Sequence, residues 1–337
     1  MSTSVNYKIE AFGLNKLKRS TTKYGPLEKN KIRVQIKAIS INYRDLLMIE
    51  GHYNPRMNLP VIPISDGSGV VMESGSSLLG FNEGDHVCTT MIPDWESGTP
   101  EPRIHQTTLG GPNDGCLSEI RDFFPNEIMK VPKRLSFEKS ATLPVAGLTA
   151  WNALSLIEHH PHTMVLLLGS GGVSLAALGI GKALGVQTII TSSSDEKLAL
   201  ADKLGADHGI NYRTFPKWSR EVRKIVPHGC NLVVEVGGSG TINQSLSSTM
   251  MGGKIALIGV LADSGQNVNL TKMLMSKIDV HGIIVGSRSQ FKKYIEFVEK
   301  TDVTPNIGHQ FHGIDSITEA LHLMKSGKHF GKIVISY

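Results

Sequence analysis

The sequence predicts an α/β protein in which a doubly wound parallel sheet follows a β-rich region. From about residue 129 to 287, short apolar runs alternate with helix-like segments, the pattern of successive βαβ units. Glycine supplies 35 of 337 residues, above the usual level of about 7%. Many backbone positions therefore need unusual dihedral angles or close approach to another group, which favours a cofactor-binding α/β fold.

Length and composition exclude several protein classes. A chain of 337 residues with 40% hydrophobic and 19% charged residues is long enough for two cores and is unlike a disordered or fibrous protein. The net charge of +5 is too mild and too dispersed to indicate nucleic-acid binding. The stretch from Met164 to Gly181 reaches the length of a membrane span, but glycines interrupt it. We interpret it as strand, turn and helix, and expect no membrane association.

The cysteines favour a reducing compartment. Cys88, Cys116 and Cys230 are too few and too scattered for a disulfide framework, and none forms a C-x-x-C pair. The first residues show no signal-peptide pattern. We therefore expect a cytoplasmic protein.

Three compositional zones predict the domain organisation. Residues 1–128 contain β-type runs such as 32–36 and 61–64, and predict a largely antiparallel β domain. Residues 129–287 predict the parallel-sheet domain, with strands at 165–168, 188–191, 208–210, 232–236, 254–258 and 280–285. Its helices are predicted at 174–184, 196–204 and 241–250. Residues 288–337 offer helices at 291–299 and 317–326 and a strand at 332–336, and we expect them to complete the first domain.

The strongest local signal is a glycine turn after the first strand of the parallel sheet. Residues 169–174 read Gly-Ser-Gly-Gly-Val-Ser. Such a turn binds a dinucleotide pyrophosphate, because residues without Cβ let the backbone approach and the helix N-terminus supplies N–H donors. Ser174 stands where the G-x-G-x-x-G fingerprint has its third glycine. Five further strand-like runs at βαβ spacing favour dinucleotide binding over a simple turn with positive φ.

The end of the second strand predicts which dinucleotide is bound. An NAD site usually places Asp or Glu here, about 20 residues beyond the turn, to bind the ribose hydroxyls. This strand instead runs into Ser192 and Ser193. Small hydroxyls leave room for a 2′-phosphate, and Lys197 can pair with that phosphate. The pattern favours NADPH.

Other interpretations of this segment stay open. Ser193 and Glu196 also have the spacing of a helix capping box. Asp195 is close enough to the strand end to hold the ribose of NADH. Tyr212 and Arg213, just past the third strand, either complete the phosphate pocket or form an ordinary loop.

Motifs along the whole chain carry a family resemblance. They are Asn-Tyr-Arg-Asp at 42–45, Pro-x-x-Pro-x-x-Asp-Gly-x-Gly at 60–69, Gly-Asp-His-Val at 84–87, Gly-Ser-Gly-Gly-Val-Ser at 169–174 and His-Phe-Gly-Lys-Ile-Val at 329–334. In order and spacing the chain resembles the medium-chain dehydrogenase/reductase superfamily, and within it the zinc-independent quinone oxidoreductase branch. The resemblance implies a GroES-like catalytic domain and a Rossmann cofactor domain.

The same resemblance supplies a test for metal. Family members with catalytic zinc carry Cys at the place of Asn42 and Gly-His-Glu at the place of residues 64–66. This chain has Asn and Ile-Ser-Asp there. Residues 93–115 also contain no cysteine for the family's structural zinc lobe. Zinc needs three or four converging S, N or O ligands, so we expect no metal.

The resemblance assigns a cofactor site residue by residue. Gly171, Gly172 and Val173 approach the pyrophosphate. Ser192, Lys197 and Tyr212 surround the 2′-phosphate, with Ser193 beside them. The nicotinamide side is lined by Asn42, Thr149, Val236, Val260 and Val285, with Phe330 and Lys332 reaching in from the C-terminal segment.

The activity implied is hydride transfer from NADPH to a quinone or an α,β-unsaturated carbonyl, without metal. Tyr43 and Tyr53 are the candidate proton donors, with Tyr53 preferred, and Asn42 orients the nicotinamide ribose or the substrate. One alternative is a zinc-independent alcohol or aldehyde dehydrogenase. Another is an NADPH-binding protein with little turnover. The expected partners are a small-molecule substrate and a second copy of the chain, paired through the late strand at 280–285 as a homodimer.

Overall fold

Two compact units make up the protein. The computed structural model describes residues 2–262 and 265–337. Unit 1 comprises Met1–Leu148 and Val285–Tyr337, and unit 2 comprises Thr149–Ile284. The predicted boundary after residue 128 falls inside unit 1, because the helix Phe137–Ala141 packs against strands of that unit.

The first part of unit 1 is mostly β-structure. Its elements are β1 Ser2–Ile9, β2 Leu17–Tyr24, β3 Ile32–Ile41, α1 Tyr43–Glu50, β4 Asp66–Ser74, β5 His86–Thr89, β6 Ile120–Phe123, β7 Ile128–Lys130 and α2 Phe137–Ala141. A π-helical turn, Leu143–Gly147, leads into α3, Leu148–Leu154. Short 3-10 turns lie at Leu14–Lys16, Ser77–Leu79, Pro102–Gln106 and Pro125–Glu127.

Strands and helices alternate through unit 2, as the sequence predicts. They are β8 Met164–Leu167, α4 Gly172–Ala183, β9 Gln187–Ser192, α5 Asp195–Lys203, β10 His208–Asn211, α6 Trp218–Ile225, β11 Cys230–Glu235, α7 Ile242–Ser248, β12 Thr249–Leu257, α8 Leu270–Met275 and β13 Asp279–Gly282, with a 3-10 turn at Gly238–Gly240. The chain then returns to unit 1 with α9 Arg288–Thr301, β14 Ile307–His312, a 3-10 turn at Ile314–Ser316, α10 Ile317–Ser326 and β15 Lys332–Ser336.

The sheet of unit 2 confirms the predicted doubly wound fold. In the part of the chain that the structure describes, its six strands are parallel and lie in the order β10-β9-β8-β11-β12-β13. This is the strand order of a Rossmann domain, in which ligands bind at the carboxyl ends of the strands beside the first strand. Apolar residues that pair across neighbouring strands, such as Leu166, Ile189 and Val233, are buried in one core cluster on a face of the sheet. The stretch Met164–Gly181 accordingly folds as strand, turn and helix.

The sheet of unit 1 is joined by the C-terminal segment. Its order is β14-β15-β3-β4-β5-β7, with β6 also paired to β3. Strand β15 runs antiparallel to β3, and Ile333 pairs with Ile41. This register sets Lys332 opposite the end of β3, where Asn42 begins helix α1. The C-terminal segment therefore contributes a side chain to the start of α1.

Three local expectations differ from the structure. Residues 61–64 are not a strand, since Pro60 and Pro63 have no backbone N–H to donate and Ile64 adopts a positive φ of 72°. Strand 280–285 ends at Gly282. Helix α6 and strand β14 are absent from the predicted elements.

Among the helices of the described ranges, none combines the length and apolar character needed to cross a membrane.

Candidate functional site

The glycine turn of unit 2 leaves open space in front of helix α4. Gly169 has φ 74°, which favours glycine, and Gly171 is the N-cap residue. A Cβ built on Gly171 would meet no atom within 4 Å. Ser174 donates to the Leu168 carbonyl at 2.6 Å, so the hydroxyl ties the first turn of the helix to the strand. The free space and the N–H groups of α4 fit a pyrophosphate.

The end of β9 is joined to this turn by hydroxyl groups. The Thr191 hydroxyl accepts a hydrogen bond from the Gly169 N–H at 3.1 Å. The hydroxyls of Ser170 and Ser192 lie 3.2 Å apart. Helix α5 is capped by Ser194, whose hydroxyl accepts from the Lys197 N–H at 3.4 Å. The capping box predicted at Ser193 is therefore wrong by one residue, because Ser194 is the extended residue that directly precedes α5.

Two cations lie near the first turn of α5. Burial, together with a smaller effect of the Arg213 guanidinium, lowers the pKa of Lys197. The Asp195 carboxylate accepts from the Asn211 side chain at 2.8 Å. The Tyr212 N–H donates to the Ser192 carbonyl at 3.0 Å, and the Tyr212 ring is exposed. Lys197 and Arg213 are the cations that this end of the sheet offers to a phosphate, beside the carboxylates of Asp195 and Glu196 in the same turn.

Glu235 organises the neighbouring turn, and sequence reasoning missed it. It ends β11 and is fully buried, with one carboxylate oxygen accepting from the N–H groups of Gly237 (2.6 Å) and Gly238 (3.1 Å) and from the Thr241 hydroxyl (2.6 Å). The other oxygen accepts from the Ser245 hydroxyl. An acidic residue at the end of an apolar strand is the signal that could have identified it. Glu235 fixes the turn that begins at the predicted site residue Val236.

The other residues predicted to line the nicotinamide are divided between the two units. Val260 is exposed but packs its backbone against Gly238, whose φ is 80°. Thr149 is buried at the start of unit 2. Val285 is buried and belongs to unit 1, with φ 49°. Phe330, also in unit 1, donates its N–H to the His309 imidazole at 3.4 Å.

Unit 1 contains a buried chain of an ammonium, an amide and a carboxylate. The Lys332 Nζ donates to the Asn42 Oδ1 at 2.5 Å and to the Ile41 carbonyl at 2.8 Å. The Asn42 Nδ2 donates to the Asp66 Oδ2 at 2.9 Å. These three residues come from β15, from the start of α1 and from β4. The structure thus joins the predicted site residues Asn42 and Lys332 through direct contact and adds Asp66.

A second buried carboxylate, Asp45, holds the surrounding backbone. Its Oδ2 accepts from the Asn42 N–H at 2.9 Å, which closes the first turn of α1. Its Oδ1 accepts from the Ser65 N–H at 3.1 Å and from the Ser65 hydroxyl at 2.9 Å. The Arg44 guanidinium lies 3.3 Å from the same oxygen and also donates to the carbonyls of Leu109 and Gly111. Asp45 therefore locks Asn42 to the segment that carries Asp66.

Burial changes the proton affinity of the ion pair. It raises the pKa of the Asp66 carboxyl to about 7, and the Lys332 ammonium opposes part of this rise. Burial also lowers the pKa of Lys332, against the opposing effect of Asp66. Removal from water disfavours both charged forms. The pair therefore takes up or releases a proton more readily near neutral pH than isolated side chains do.

The two candidate tyrosines are accessible. Tyr43 is the first residue of α1, and 43% of it is exposed. Tyr53 is 48% exposed, and the Arg44 guanidinium lies 5.4 Å from its ring centroid. Both phenols can therefore reach a ligand from solvent.

Comparison with known proteins identifies the family. Residues 28–133 match the family model described as alcohol dehydrogenase GroES-like domain, and residues 172–300 match the one described as zinc-binding dehydrogenase. A zinc-type alcohol dehydrogenase-like protein of Schizosaccharomyces pombe is 39% identical over 317 residues, which cover 92% of this chain and 91% of that protein. The chain belongs to the medium-chain dehydrogenase/reductase family.

Two further similarities show the range of names within the family. Quinone oxidoreductase-like protein 2 of Bos taurus is 24% identical over 326 residues, covering 92% of this chain and 86% of that protein. The solved structure of an NAD-dependent alcohol dehydrogenase superposes with a TM-score of 0.88 at 29% identity and covers 99% of both chains. This medium-chain dehydrogenase/reductase is therefore an oxidoreductase of the α/β class, with a GroES-like and a Rossmann-like part. A nicotinamide cofactor fits the open glycine turn.

The donors in unit 1 do not fit the zinc ion named in one family description. The Asn42 amide oxygen already accepts from the Lys332 ammonium, and an ammonium at this place repels a second cation. Ser65 offers a hydroxyl, and the thiols of Cys88 and Cys116 near Asp66 are kept neutral by burial, which raises the pKa of both. Within residues 2–262 and 265–337, no group of three or more His, Cys, Asp or Glu side chains is arranged to hold a metal.

Proposed function

We propose that this protein is an NADPH-dependent reductase that transfers a hydride to a quinone or an α,β-unsaturated carbonyl without a metal. The observation that carries the proposal is the Lys332–Asn42–Asp66 chain. It occupies the place where the resemblance puts the zinc ligands of metal-dependent members, and it supplies hydrogen bonds and charge in place of metal ligands. When bound, NADPH supplies a hydride from C4 of its nicotinamide.

The choice of NADPH rests on the charges at the end of β9. The Ser192 hydroxyl, the Lys197 ammonium and the Arg213 guanidinium offer one donor and two positive charges to a 2′-phosphate. Asp195, the alternative partner for the ribose of NADH, already accepts a hydrogen bond from Asn211. Gly171, Gly172 and Val173 bind the pyrophosphate in this proposal, and Tyr212 covers the phosphate.

The substrate is activated by hydrogen bonds. Asn42 orients the substrate or the nicotinamide ribose, and Tyr53 donates the proton that balances the charge left by hydride addition. Tyr53 is preferred over Tyr43 because Arg44, held by two backbone carbonyls, lies against its ring and fixes its position. In this proposal Thr149, Val236, Val260, Val285 and Phe330 line the nicotinamide.

A titration tests the cofactor. Purified protein is titrated with NADPH and with NADH, following nicotinamide fluorescence, for the wild type, Lys197→Ala and the matched control Lys203→Ala on the exposed face of α5. We expect NADPH to bind at least tenfold tighter, about 1.4 kcal/mol, and only Lys197→Ala to lose this preference. Equal or tighter binding of NADH would return the role of ribose partner to Asp195 and overturn the NADPH assignment.

A substrate panel tests the reaction. We expect NADPH oxidation with quinones and enones, and a kcat/KM at least tenfold lower in Tyr53→Phe than in the wild type. Turnover of alcohols and aldehydes alone would support the alternative that the relatives' names favour, an alcohol dehydrogenase. Tight NADPH binding without turnover of either panel would support a binding protein with little activity.

We further propose a homodimer that pairs through β13 at the edge of the unit 2 sheet. An edge strand is stable only when it is covered or paired. Near it the structure exposes large apolar side chains, namely Met251, Leu270, Leu274, Met275 and Ile284. Sedimentation velocity should give a dimer, and Val280→Pro should give monomers.

We also propose the cytosol as the compartment of this protein, since Cys88, Cys116 and Cys230 are buried free thiols.

A further inference from the structure

The hydrogen-bond pattern of the Asn42 side chain allows one orientation of its amide. Lys332 has only donors, so the atom it contacts at 2.5 Å must be the amide oxygen. An ionised Asp66 has only acceptors, so the atom at 2.9 Å must be the amide nitrogen. A flipped amide would place donor against donor and acceptor against acceptor.

All three residues of this hydrogen-bond chain are buried, and the central one, Asn42, is the least buried. Asp66 is 0% exposed and Lys332 is 3% exposed, whereas Asn42 is 7% exposed. The second N–H of the Asn42 amide has Ser65 Oγ at 3.5 Å, at the limit of a hydrogen bond. Of the three side chains, Asn42 is therefore the one through which a ligand can meet the buried charges, and the amide can donate to an oxygen.

Burying two charges for packing alone is unfavourable, because their desolvation often exceeds the Coulombic gain. The Asp66 carboxyl adds to this cost, since in the described part of the chain its buried Oδ1 meets no donor at full hydrogen-bond geometry and the Val145 backbone N–H offsets only part of its burial. Hydrogen bonds in a chain polarise one another in a low-dielectric interior. The ammonium at one end and the carboxylate at the other therefore act on the amide between them.

We propose that Lys332 and Asp66 are positioning residues that orient and polarise the Asn42 amide, so that its second N–H binds the oxygen of a carbonyl substrate. This inference rests on the proposed reductase function and deepens it. Lys332 then acts on the substrate through Asn42, by holding the amide oxygen and increasing the donor strength of the amide nitrogen.

Several other ionisable groups lie near the hydrogen bonds that join Lys332, Asn42 and Asp66. Asp45 and Arg44 approach from α1 as an ion pair, while the thiols of Cys88 on β5 and Cys116 lie near Asp66. Burial raises the pKa of Cys116 to about 12 and that of Cys88 well above its ordinary value, so both thiols stay neutral. Asp66, whose pKa burial raises to about 7, is therefore the group beside the amide whose proton content changes near neutral pH.

The first test compares three variants with the wild type. Asp66→Asn removes the carboxylate, Lys332→Met removes the ammonium, and the double variant leaves no unpaired charge. Lys328→Met, on an exposed lysine, is the matched control. We expect kcat for quinone or enone reduction to fall at least 20-fold in the three variants and to stay unchanged in Lys328→Met, and an inflection of kcat near pH 7 to disappear with Asp66. A double variant with kcat within twofold and an unchanged pH profile would overturn the proposal.

The second test needs no substrate, and its measurement is made on the wild-type protein. Wild-type protein labelled with ¹⁵N-asparagine is titrated by NMR, and Asn42→Ser identifies the Asn42 side-chain signals. We expect these signals to shift with a midpoint near pH 7. Signals that do not respond to pH between 5 and 9 would overturn the proposal even if the other variants fail to fold. If wild-type protein reduces no quinone or enone while the signals titrate, the proposed function fails and the oriented amide stands.

Discussion

The two units build their polar sites in opposite ways. In unit 2 the site is a backbone feature, since the turn at 169–172 leaves open space and presents N–H groups from adjacent residues. In unit 1 it is a side-chain feature, in which Lys332, Asn42 and Asp66 meet from three distant parts of the chain and bury opposite charges. A backbone site tolerates changes in surrounding side chains but not an added Cβ. A side-chain site, by contrast, is disrupted when one of its side chains is changed.

The largest loss of stability is expected from removing the Asp45 carboxylate, which binds the backbone around Asn42 and Ser65. Asp45→Ala leaves the N–H groups of Asn42 and Ser65 unpaired and Arg44 without its counter-ion. We expect a loss of about 4 kcal/mol in the free energy of unfolding, typical of breaking a buried pair. Urea denaturation measures it. Asp315→Ala, which breaks an exposed pair with Arg19, should cost less than about 1 kcal/mol. Equal losses would mean that Asp45 is not the organising residue.

The comparable carboxylate in unit 2 is Glu235. Glu235→Ala leaves the N–H groups of Gly237 and Gly238 and two hydroxyls without their acceptor. Because these donors are neutral, we expect a smaller loss of about 3 kcal/mol. Peptide-level hydrogen exchange should show faster exchange around residues 236–241, with Glu196→Ala on the exposed face of α5 as control. Unchanged exchange there would contradict the role assigned to Glu235.

The charges of unit 1 should also make stability depend on pH. The pKa of Asp66 is about 7 in the folded protein, above its ordinary value of 3.8. The folded state therefore binds the extra proton between these values, and its stability falls as pH rises through this window. Between pH 5 and 7 the decrease is about 2 kcal/mol. Asp66→Asn should abolish this decrease in stability between pH 5 and 7, whereas Asp202→Asn, on the exposed face of α5, should keep it. Parallel pH curves for the wild type and Asp66→Asn would refute the shifted carboxyl.

The smallest effect on stability is expected at the glycine turn. Gly171→Ala adds a methyl group that touches nothing in the protein, so the free energy of unfolding should change by less than about 0.5 kcal/mol. The same methyl group fills the space assigned to the pyrophosphate, and NADPH should bind at least tenfold more weakly. Gly25→Ala, which also has open space around it, should change neither quantity. Unaltered NADPH affinity in Gly171→Ala would remove the turn from the cofactor site.

Local patterns predict unit 2 well because its elements are contiguous. Apolar runs between turn residues predict the six strands to within three residues at each end, except that β12 begins five residues earlier than predicted. The glycine spacing predicts the turn before α4. The cap of α5 is predicted one residue early, since three consecutive serines offer the same side chain. Helix α6 was missed because its segment follows a proline and is rich in charged residues.

Unit 1 is harder to predict because its contacts are distant in the sequence. The family resemblance selects Asn42 and Lys332, but no spacing rule joins residues 42, 66 and 332. That connection depends on the antiparallel register of β15 on β3. The apolar run at 61–64 has the hydrophobic pattern of a strand, but Pro60 and Pro63 prevent regular pairing.

The Lys332 ammonium has a consequence for any attempt to build a metal site into this protein. Asn42→Cys or Ser65→His alone would set a metal beside the Lys332 ammonium. Loss of Lys332 alone would leave Asp66 buried without its counter-ion. Each single substitution is therefore disfavoured, and a metal site here requires that Lys332 and the new ligands change together.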